Sequence, residues 1–235
     1  MKIKKLISAL VLGSMLVGLS GCNITDFSAE NLLRPPKAVG DEAEIEQLIA
    51  KTADSGYTLK YPKNGKFRSA IIMTDLDGND SNEAVAFFRN SAETSSVHML
   101  VMYSKDNSWE IASDNIFETT DIDSVDFADL TGNGKAEIIV NSTTYTPNVG
   151  KLSCYSYSEG KTNEVGSGQS CSSFVTGDFD NDGTSEIMSF VLYTTENEAL
   201  ASMLDYNEDS KSLYAKAMAC LLYTSDAADD RISVD

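Results

Sequence analysis

The sequence predicts an all-β fold of about three four-stranded antiparallel repeats, preceded by one short helix. An acidic nine-residue segment occurs three times, beginning at Asp75, Asp129 and Asp178, and these starts lie 54 and 49 residues apart. Short apolar stretches with the composition of β-strands flank every copy. Repeats of this length are typical of propellers and solenoids, in which each repeat is one supersecondary unit.

Each repeat contains four strand candidates, which is the content of one β-propeller blade. The region 66–219 is therefore predicted to be a partial β-propeller of about three blades. The predicted strands are Arg68–Thr74, Ala84–Arg89, Val97–Tyr103 and Ser108–Ser113; Ser124–Ala128, Ala136–Asn141, Lys151–Ser156 and Thr162–Val165; Ser172–Gly177, Ile187–Tyr193, Ala199–Tyr206 and Ser212–Ala217.

A helix is predicted only before the repeats, at Asp41–Ala53. Ile45, Leu48 and Ile49 follow the i, i+3, i+4 spacing of one helix face, and Lys51 lies near the end. We expect this amphipathic helix to pack on the domain, within a lead-in that spans residues 41–65.

The acidic segments carry oxygen side chains at positions 1, 3, 5 and 9. Carboxylates this close together repel one another unless a cation lies between them. Hard Ca²⁺ accepts six to eight oxygens in flexible geometry, including a backbone carbonyl, expected here at position 7. The candidate ligands at positions 1, 3, 5, 7 and 9 are Asp75, Asp77, Asn79, Ser81 and Glu83; Asp129, Thr131, Asn133, Lys135 and Glu137; Asp178, Asp180, Asp182, Thr184 and Glu186.

The loop is not an EF-hand, which needs a bidentate glutamate at position 12 and flanking helices. Position 12 is Ala86, Val140 or Ser189, and strands flank each copy. The pattern instead resembles the FG-GAP/VCBS-type repeats of integrin-α-like propellers, which implies Ca²⁺ and a loop between the first and second strands of a blade. The literal Phe-Gly and Gly-Ala-Pro signatures are absent, so the resemblance covers the loop type and the blade.

A solvated hairpin turn is the alternative interpretation of each acidic loop. Gly78, Gly132 and Gly183 would permit the turns in either case. The third loop has the most carboxylates, whereas Thr131 and Asn133 leave the second with the fewest.

The first 21 residues have the layout of a signal peptide: three early lysines, then the apolar stretch Leu6–Leu19. Leu19-Ser20-Gly21-Cys22 resembles the bacterial lipobox, which implies acylation of Cys22 and an extracytoplasmic, lipid-anchored protein. An ordinary secretory signal or an uncleaved anchor is the alternative. Residues 22–40, with Pro35-Pro36, are interpreted as a tether.

The last residues, 220–235, are interpreted as an artefact. The run from Cys220 to Asp230 matches the translation of a transposon-type sequencing adapter residue by residue. We therefore expect the natural sequence to be interrupted near Ala219 and the propeller to be incomplete. The alternative is a natural tail.

The formal net charge of −18 argues against nucleic acid, which requires a basic face, and favours cations. Cys154 and Cys171 are interpreted either as a disulfide, which export permits, or as two small buried residues.

His98 lies in a strand and is predicted to be a satisfied sheet histidine rather than a general base. Trp109 is predicted to pack in a strand.

No nucleophile elbow, phosphate-binding loop or His/Cys metal cluster occurs in the sequence. The predicted function is a non-catalytic surface binding module for a protein or glycan. The alternatives are the N-terminal part of a surface enzyme whose catalytic residues lie downstream, and a structural envelope protein. Ligand binding is expected on the face opposite the acidic loops, in Asn90–Ser96, Thr143–Gly150 and Thr194–Glu198.

Overall fold

A computed structural model of the chain describes residues 40–54, 56–146, 148–193, 198–216 and 221–222. The predicted signal peptide, Cys22, almost all of the tether and most of the C-terminal tail lie outside the described residues. So does most of the predicted binding loop Thr194–Glu198. Among the described helices, none combines the length and apolar character needed to cross a membrane.

The described chain contains one helix and three antiparallel sheets, which confirms a mainly β fold. The helix is α1 (Asp41–Ala53), as predicted from its apolar spacing. The strands are β1 (Tyr57–Leu59), β2 (Ile71–Thr74), β3 (Glu83–Asn90), β4 (Val97–Lys105), β5 (Ser108–Phe117), β6 (Ile122–Ala128), β7 (Glu137–Thr143), β8 (Gly150–Ser158), β9 (Lys161–Cys171), β10 (Ser173–Gly177), β11 (Glu186–Tyr193), β12 (Glu198–Asn207), β13 (Ser212–Lys216) and β14 (Leu221–Leu222).

Each repeat forms its own sheet, and the four main strands of each sheet are neighbours in chain order. The first sheet runs β2-β3-β4-β5, with β1 alongside another part of β3. The second runs β6-β7-β8-β9, and the third runs β10-β11-β12-β13, with β14 alongside β12. The prediction of four antiparallel strands per repeat is therefore confirmed.

The sheets pack face to face in sequence order. One core lies between the first and second sheets and includes Phe87 and Val140, while another lies between the second and third and includes Ile139 and Ile187. The outer face of the first sheet is covered by α1. Strands such as β3 are thus buried on both faces, which explains their continuous apolar sequences.

Helix α1 contributes Ile45, Ile49 and Ala53 to the core, all of which are buried. They pack against Phe88 and against Trp109 of the first sheet, which confirms the predicted strand packing of the tryptophan. The helix therefore covers a sheet face that would otherwise expose apolar residues.

β5 and β9 extend four and six residues beyond their predicted ends, β2 begins three residues later than predicted, and β1 and β14 were not predicted. β5 continues to Phe117 and β9 to Cys171, although the sequence of β9 is polar. The pairing of β9 with β8 contains two register shifts, which let the longer strand follow its partner to the end. β1 is three residues long and was not predicted, because its pairing with β3 leaves no periodic signal.

The disulfide interpretation of Cys154 and Cys171 is wrong: both are free and buried. Cys171 pairs with Gly150 in the register of β8 and β9, four residues from Cys154 along β8. Four residues of strand span roughly 13 Å, whereas bridged cysteines have Cα atoms usually about 4.4–6.8 Å apart. Burial raises the pKa of both thiols, that of Cys171 to about 12, and keeps them in the neutral form.

The covering role of α1 predicts the effect of Ile49→Ala. Because Ile49 is fully buried, its truncation should lower the free energy of unfolding by about 2–5 kcal/mol, measured by urea denaturation. Gln47→Ala on the exposed side of the same helix is the control and should change stability little. Equal, small effects of the two substitutions would contradict the packing.

Candidate metal centre

The three acidic loops lie at the same end of their sheets. Each connects the first and second main strands of a sheet, between β2 and β3, between β6 and β7, and between β10 and β11. In each case the glutamate at position 9 is the first residue of the second strand. The placement expected from the resemblance is therefore the observed one.

The aspartate at position 1 organises the loop through backbone N–H groups. In every loop its Oδ1 accepts a hydrogen bond of 3.2 Å from the N–H of position 5. Its Oδ2 accepts one from the N–H of position 6, at 2.9, 2.8 and 3.1 Å in the first, second and third loops. Three sequences thus share one backbone conformation wound around the first carboxylate.

The side chain at position 5 also accepts a hydrogen bond from a backbone N–H group of its own loop. Its Oδ1 accepts the N–H of position 7 in all three loops, at 2.7 Å for Asn79 and 2.8 Å for Asn133 and for Asp182. An amide or a carboxylate can fill this position because only the oxygen is used.

The glutamate at position 9 closes each loop. Its Oε2 accepts the backbone N–H of position 2 at 2.8 Å in every copy. Glu83, Glu137 and Glu186 are 3%, 1% and 0% exposed, so this hydrogen bond holds a carboxylate inside the protein. Such burial of a charged group is costly unless the remaining oxygen is also satisfied.

Two backbone positions in each loop have positive φ. Position 4 is Gly78, Gly132 or Asn181, and position 6 is Asp80, Gly134 or Gly183. Glycine adopts this region freely, while asparagine and aspartate tolerate it better than other residues. Gly78, Gly132 and Gly183 were predicted from the sequence to permit the turns, but each loop requires a second position of positive φ, which in two loops is filled by a residue other than glycine.

Two loops bring carboxylates close enough to share a metal ion. Asp178, Asp180, Asp182 and Glu186 each place one oxygen within 4.8 Å of the others, and the acids of the first loop, Asp75, Asp77 and Glu83, do the same. Each cluster also contains a buried oxygen that receives no hydrogen bond from the described residues: Glu186 Oε1 and Asp77 Oδ1. Oxygen ligands with unsatisfied buried lone pairs fit a hard cation.

The second loop has the fewest carboxylates of the three, as its sequence indicated. It has only two carboxylates, and Thr131 Oγ1 donates to Glu137 Oε1 at 3.3 Å. Both oxygens of Glu137 therefore have a protein donor, which leaves this loop without the unsatisfied oxygen found in the other two.

Burial shifts the pKa values of the three closing glutamates upward. Loss of solvation is the main cause for Glu83, for Glu186 and for Glu137, whose pKa rises to about 6, and a nearby aspartate at position 1 or 3 adds to each. Asp75 behaves differently: burial acts to raise its pKa, but the N–H groups of Asp80, Gly78 and Asn79 outweigh it and the pKa is lowered. In Asp75 the backbone hydrogen bonds thus outweigh the loss of solvation, whereas in the closing glutamates the loss of solvation outweighs them.

Lys216 is a residue of the third loop's surroundings that sequence reasoning missed. Its Nζ lies 3.0 Å from Asp180 Oδ2 and 3.9 Å from Asp205 Oδ2. Because it comes from β13, 36 residues after Asp180, no local pattern could have revealed the pair. Its ammonium group supplies positive charge at the edge of the four-carboxylate cluster.

The loops also contact one another in a row. Ala136 N, in the second loop, donates to Leu76 O of the first at 3.0 Å, and Ser185 N, in the third, donates to Asp129 O of the second at 2.8 Å. Gly132 lies against Thr184, whose Cγ2 would be 2.6 Å from a Cβ added to that glycine. The three candidate sites are therefore neighbours in one continuous surface.

His98 lies away from the loops and is held by its surroundings. It is 6% exposed, and its Nδ1 lies 2.9 Å from Asp114 Oδ1 while its Nε2 lies 3.4 Å from Glu93 Oε2. Its ring stacks on Phe88 at a centroid distance of 4.8 Å. The prediction of a satisfied sheet histidine is confirmed.

Neither a protein-family model nor a curated protein significantly matches this chain.

Contact between the loops predicts unequal effects of two glycine substitutions in the second loop. Gly134→Ala should lower the free energy of unfolding by about 1 kcal/mol, because alanine is strained at positive φ and nothing lies within 4 Å of the new Cβ. Gly132→Ala should cost about 1–3 kcal/mol more, because its Cβ also meets Thr184.

Chemical denaturation of the two variants measures this difference, and Thr184→Ser is the matched control because it deletes the Cγ2 methyl. Combined with Gly132→Ala it should remove most of the extra cost. Equal costs for the two glycine variants would mean that the second and third loops do not pack as described.

Proposed function

We propose that the chain is a calcium-stabilised, non-catalytic interaction module of the FG-GAP/VCBS β-propeller type, held on an extracytoplasmic membrane surface by lipid on Cys22. The observation that carries the calcium part is Glu186 Oε1. This carboxylate oxygen belongs to a fully buried residue and receives no hydrogen bond from the described residues. It lies beside three aspartates.

The ligand chemistry favours Ca²⁺ over other common cations. All candidate side-chain ligands are oxygens, whereas zinc sites in proteins draw mainly on nitrogen and sulfur. Mg²⁺ requires near-ideal octahedral geometry and usually keeps several waters, while Ca²⁺ accepts more oxygens in irregular cages. Asp178, Asp180, Asp182 and Glu186 would hold the ion, with the carbonyl of Thr184 as a further ligand.

The propeller part rests on the three sheets. Each repeat is a four-stranded antiparallel meander, and successive sheets pack face to face through separate apolar cores. The acidic loops gather at one end, which leaves the opposite end to a different set of connections. In this interpretation the ions tie the first and second strands of a blade together.

The non-catalytic role is supported by the contacts and burial of the potentially reactive side chains. The one histidine of the sequence has both ring nitrogens against carboxylates and a ring stacked on Phe88. The two described cysteines are buried thiols with raised pKa values. The acids that cluster within the described residues are those of the loops. Fixed side chains of this kind suit a scaffold that presents a surface.

Calcium should stabilise the protein through the third loop more than through the second. A ligand that binds only the native state adds about 2.7 kcal/mol at a hundredfold excess over its Kd. Glu186→Gln keeps the side-chain shape but removes the charge, so thermal melting of this variant should respond little to calcium. Asp178→Ala and Asp182→Ala should weaken the response more than Asp129→Ala.

Asp209→Ala is the control for this experiment, because Asp209 is an exposed acid in the turn between β12 and β13. It should respond to calcium as the unaltered protein does. The same melting temperature in calcium and in chelator would rule out a calcium-stabilised fold.

Acylation of Cys22 is tested by Cys22→Ala. In a bacterial host this variant should lose labelling by a fatty-acid probe and leave the membrane fraction, because the thiol is the point of attachment. Cys220→Ala is the control and should keep both properties. Membrane association that survives Cys22→Ala would contradict the anchor.

A further inference from the structure

A polar cavity of about 550 Å³ lies at the end of the sheets opposite the acidic loops. It is bounded by the end of β7, the loop that leads to β8, the beginnings of β6 and β10, and the segment before β2. Its size falls in the range of about 300–1,000 Å³ that small-molecule sites occupy.

Asn141 lines the cavity and carries an unsatisfied acceptor. The residue is 1% exposed, and its Oδ1 receives no hydrogen bond from the described residues. Its Nδ2 lies 3.4 Å from Asp123 Oδ2, which orients the amide. A buried carbonyl oxygen without a donor costs free energy that a ligand hydroxyl or N–H can recover.

Asp123 is held at this cavity by an irregularity in the strand. The pairing of β6 with β7 shifts register between Ile122 and Ser124, so that Asp123 is left out of the ladder. Bulges of this kind re-aim a side chain and occur next to functional sites. The Asp123 carboxylate accepts hydrogen bonds from Asn64 Nδ2 at 2.9 Å and Ser124 Oγ at 3.0 Å.

The rim of the cavity is ordered by hydrogen bonds of its own. Thr143 N donates to Asp121 O at 3.0 Å, and Thr119 Oγ1 donates to Thr143 O at 2.7 Å. Lys60 and Lys63 form ion pairs with Asp121 at 2.6 and 3.2 Å. A rim fixed before binding spares a ligand the entropic cost of ordering it.

The lining matches an uncharged, hydroxyl-rich ligand. Amides and hydroxyls predominate, and each can meet ligand groups that both donate and accept hydrogen bonds. Lys63 and Asp123 are the charged lining residues and cancel in sign, while the protein's net charge of −18 repels anions. Val149 and Leu192 add apolar surface of the kind that covers a sugar's C–H face.

We propose that this cavity binds a neutral saccharide, with Asn141 Oδ1 as the buried acceptor for one of its hydroxyls. The proposal rests on the interaction role given above and names the class of ligand and the place where it binds. Because the cavity lies at the far end of the sheets from the acidic loops, saccharide binding and calcium-dependent melting test the two proposals separately.

The test is saturation-transfer NMR on the full chain with maltose, cellobiose, lactose and N,N′-diacetylchitobiose, followed by titration of those that bind. At least one neutral disaccharide should bind. Asn141→Leu, which replaces the amide with an apolar side chain of similar size, should weaken that binding about tenfold. The calcium response of the melting temperature should not change.

Two further variants separate loss of saccharide binding from loss of folding. Leu192→Trp enlarges a half-exposed residue of the cavity lining and should also weaken binding, even where Asn141→Leu proves unstable. Asn115→Ala removes a part-buried amide of β5 that does not line the cavity, and should leave binding intact. Absence of transfer to all four sugars, undiminished binding by both cavity variants, or stronger binding of glucuronic acid than of the neutral sugars would overturn the proposal.

Discussion

The hydrogen bond from the backbone N–H of position 2 to the glutamate at position 9 is the constraint on which the repeats depend. Its length is 2.8 Å in all three loops, although the donor belongs to Leu76, Leu130 or Phe179. The glutamate is also the first residue of the second strand of its sheet, so the bond fixes the loop and the start of the strand together. With that strand in place, its following residues alternate between two neighbouring layers of the fold. Ala84 faces α1 and Val85 faces the second sheet.

That alternation explains why the sheets stack in chain order. A strand with one apolar face needs a single neighbouring layer to cover it. β3, β7 and β11 carry apolar residues on both faces and therefore need a layer packed against each face. The second sheet finds its partners in the first and third sheets. The first sheet has the second on one face and α1 on the other, where Ile45 and Ile49 occupy the place that a preceding sheet would take.

Local pattern was enough to predict α1, the four strands of each repeat and the position of the acidic loops, because each depends on residues close together in the chain. It could not predict what distant residues decide. The ion pair of Lys216 with Asp180 joins β13 to a loop 36 residues earlier, and the cavity around Asn141 depends on a bulge that no composition reveals. The cysteines are similar: their spacing allowed a disulfide, but the register of β8 and β9 keeps them apart. β9 was predicted too short because its pairing is carried by the backbone rather than by apolar side chains.

The double role of Glu186 links the third acidic cluster to strand pairing. One of its oxygens holds the N–H of Phe179, and the other is the buried acceptor of the third cluster. Glu186 is also the first residue of β11 and pairs with Gly177 of β10, so its place in the loop depends on the pairing of these two strands. Fraying of this strand end would withdraw the buried oxygen from the three exposed aspartates, which ties the integrity of the acidic cluster to local unfolding of the sheet.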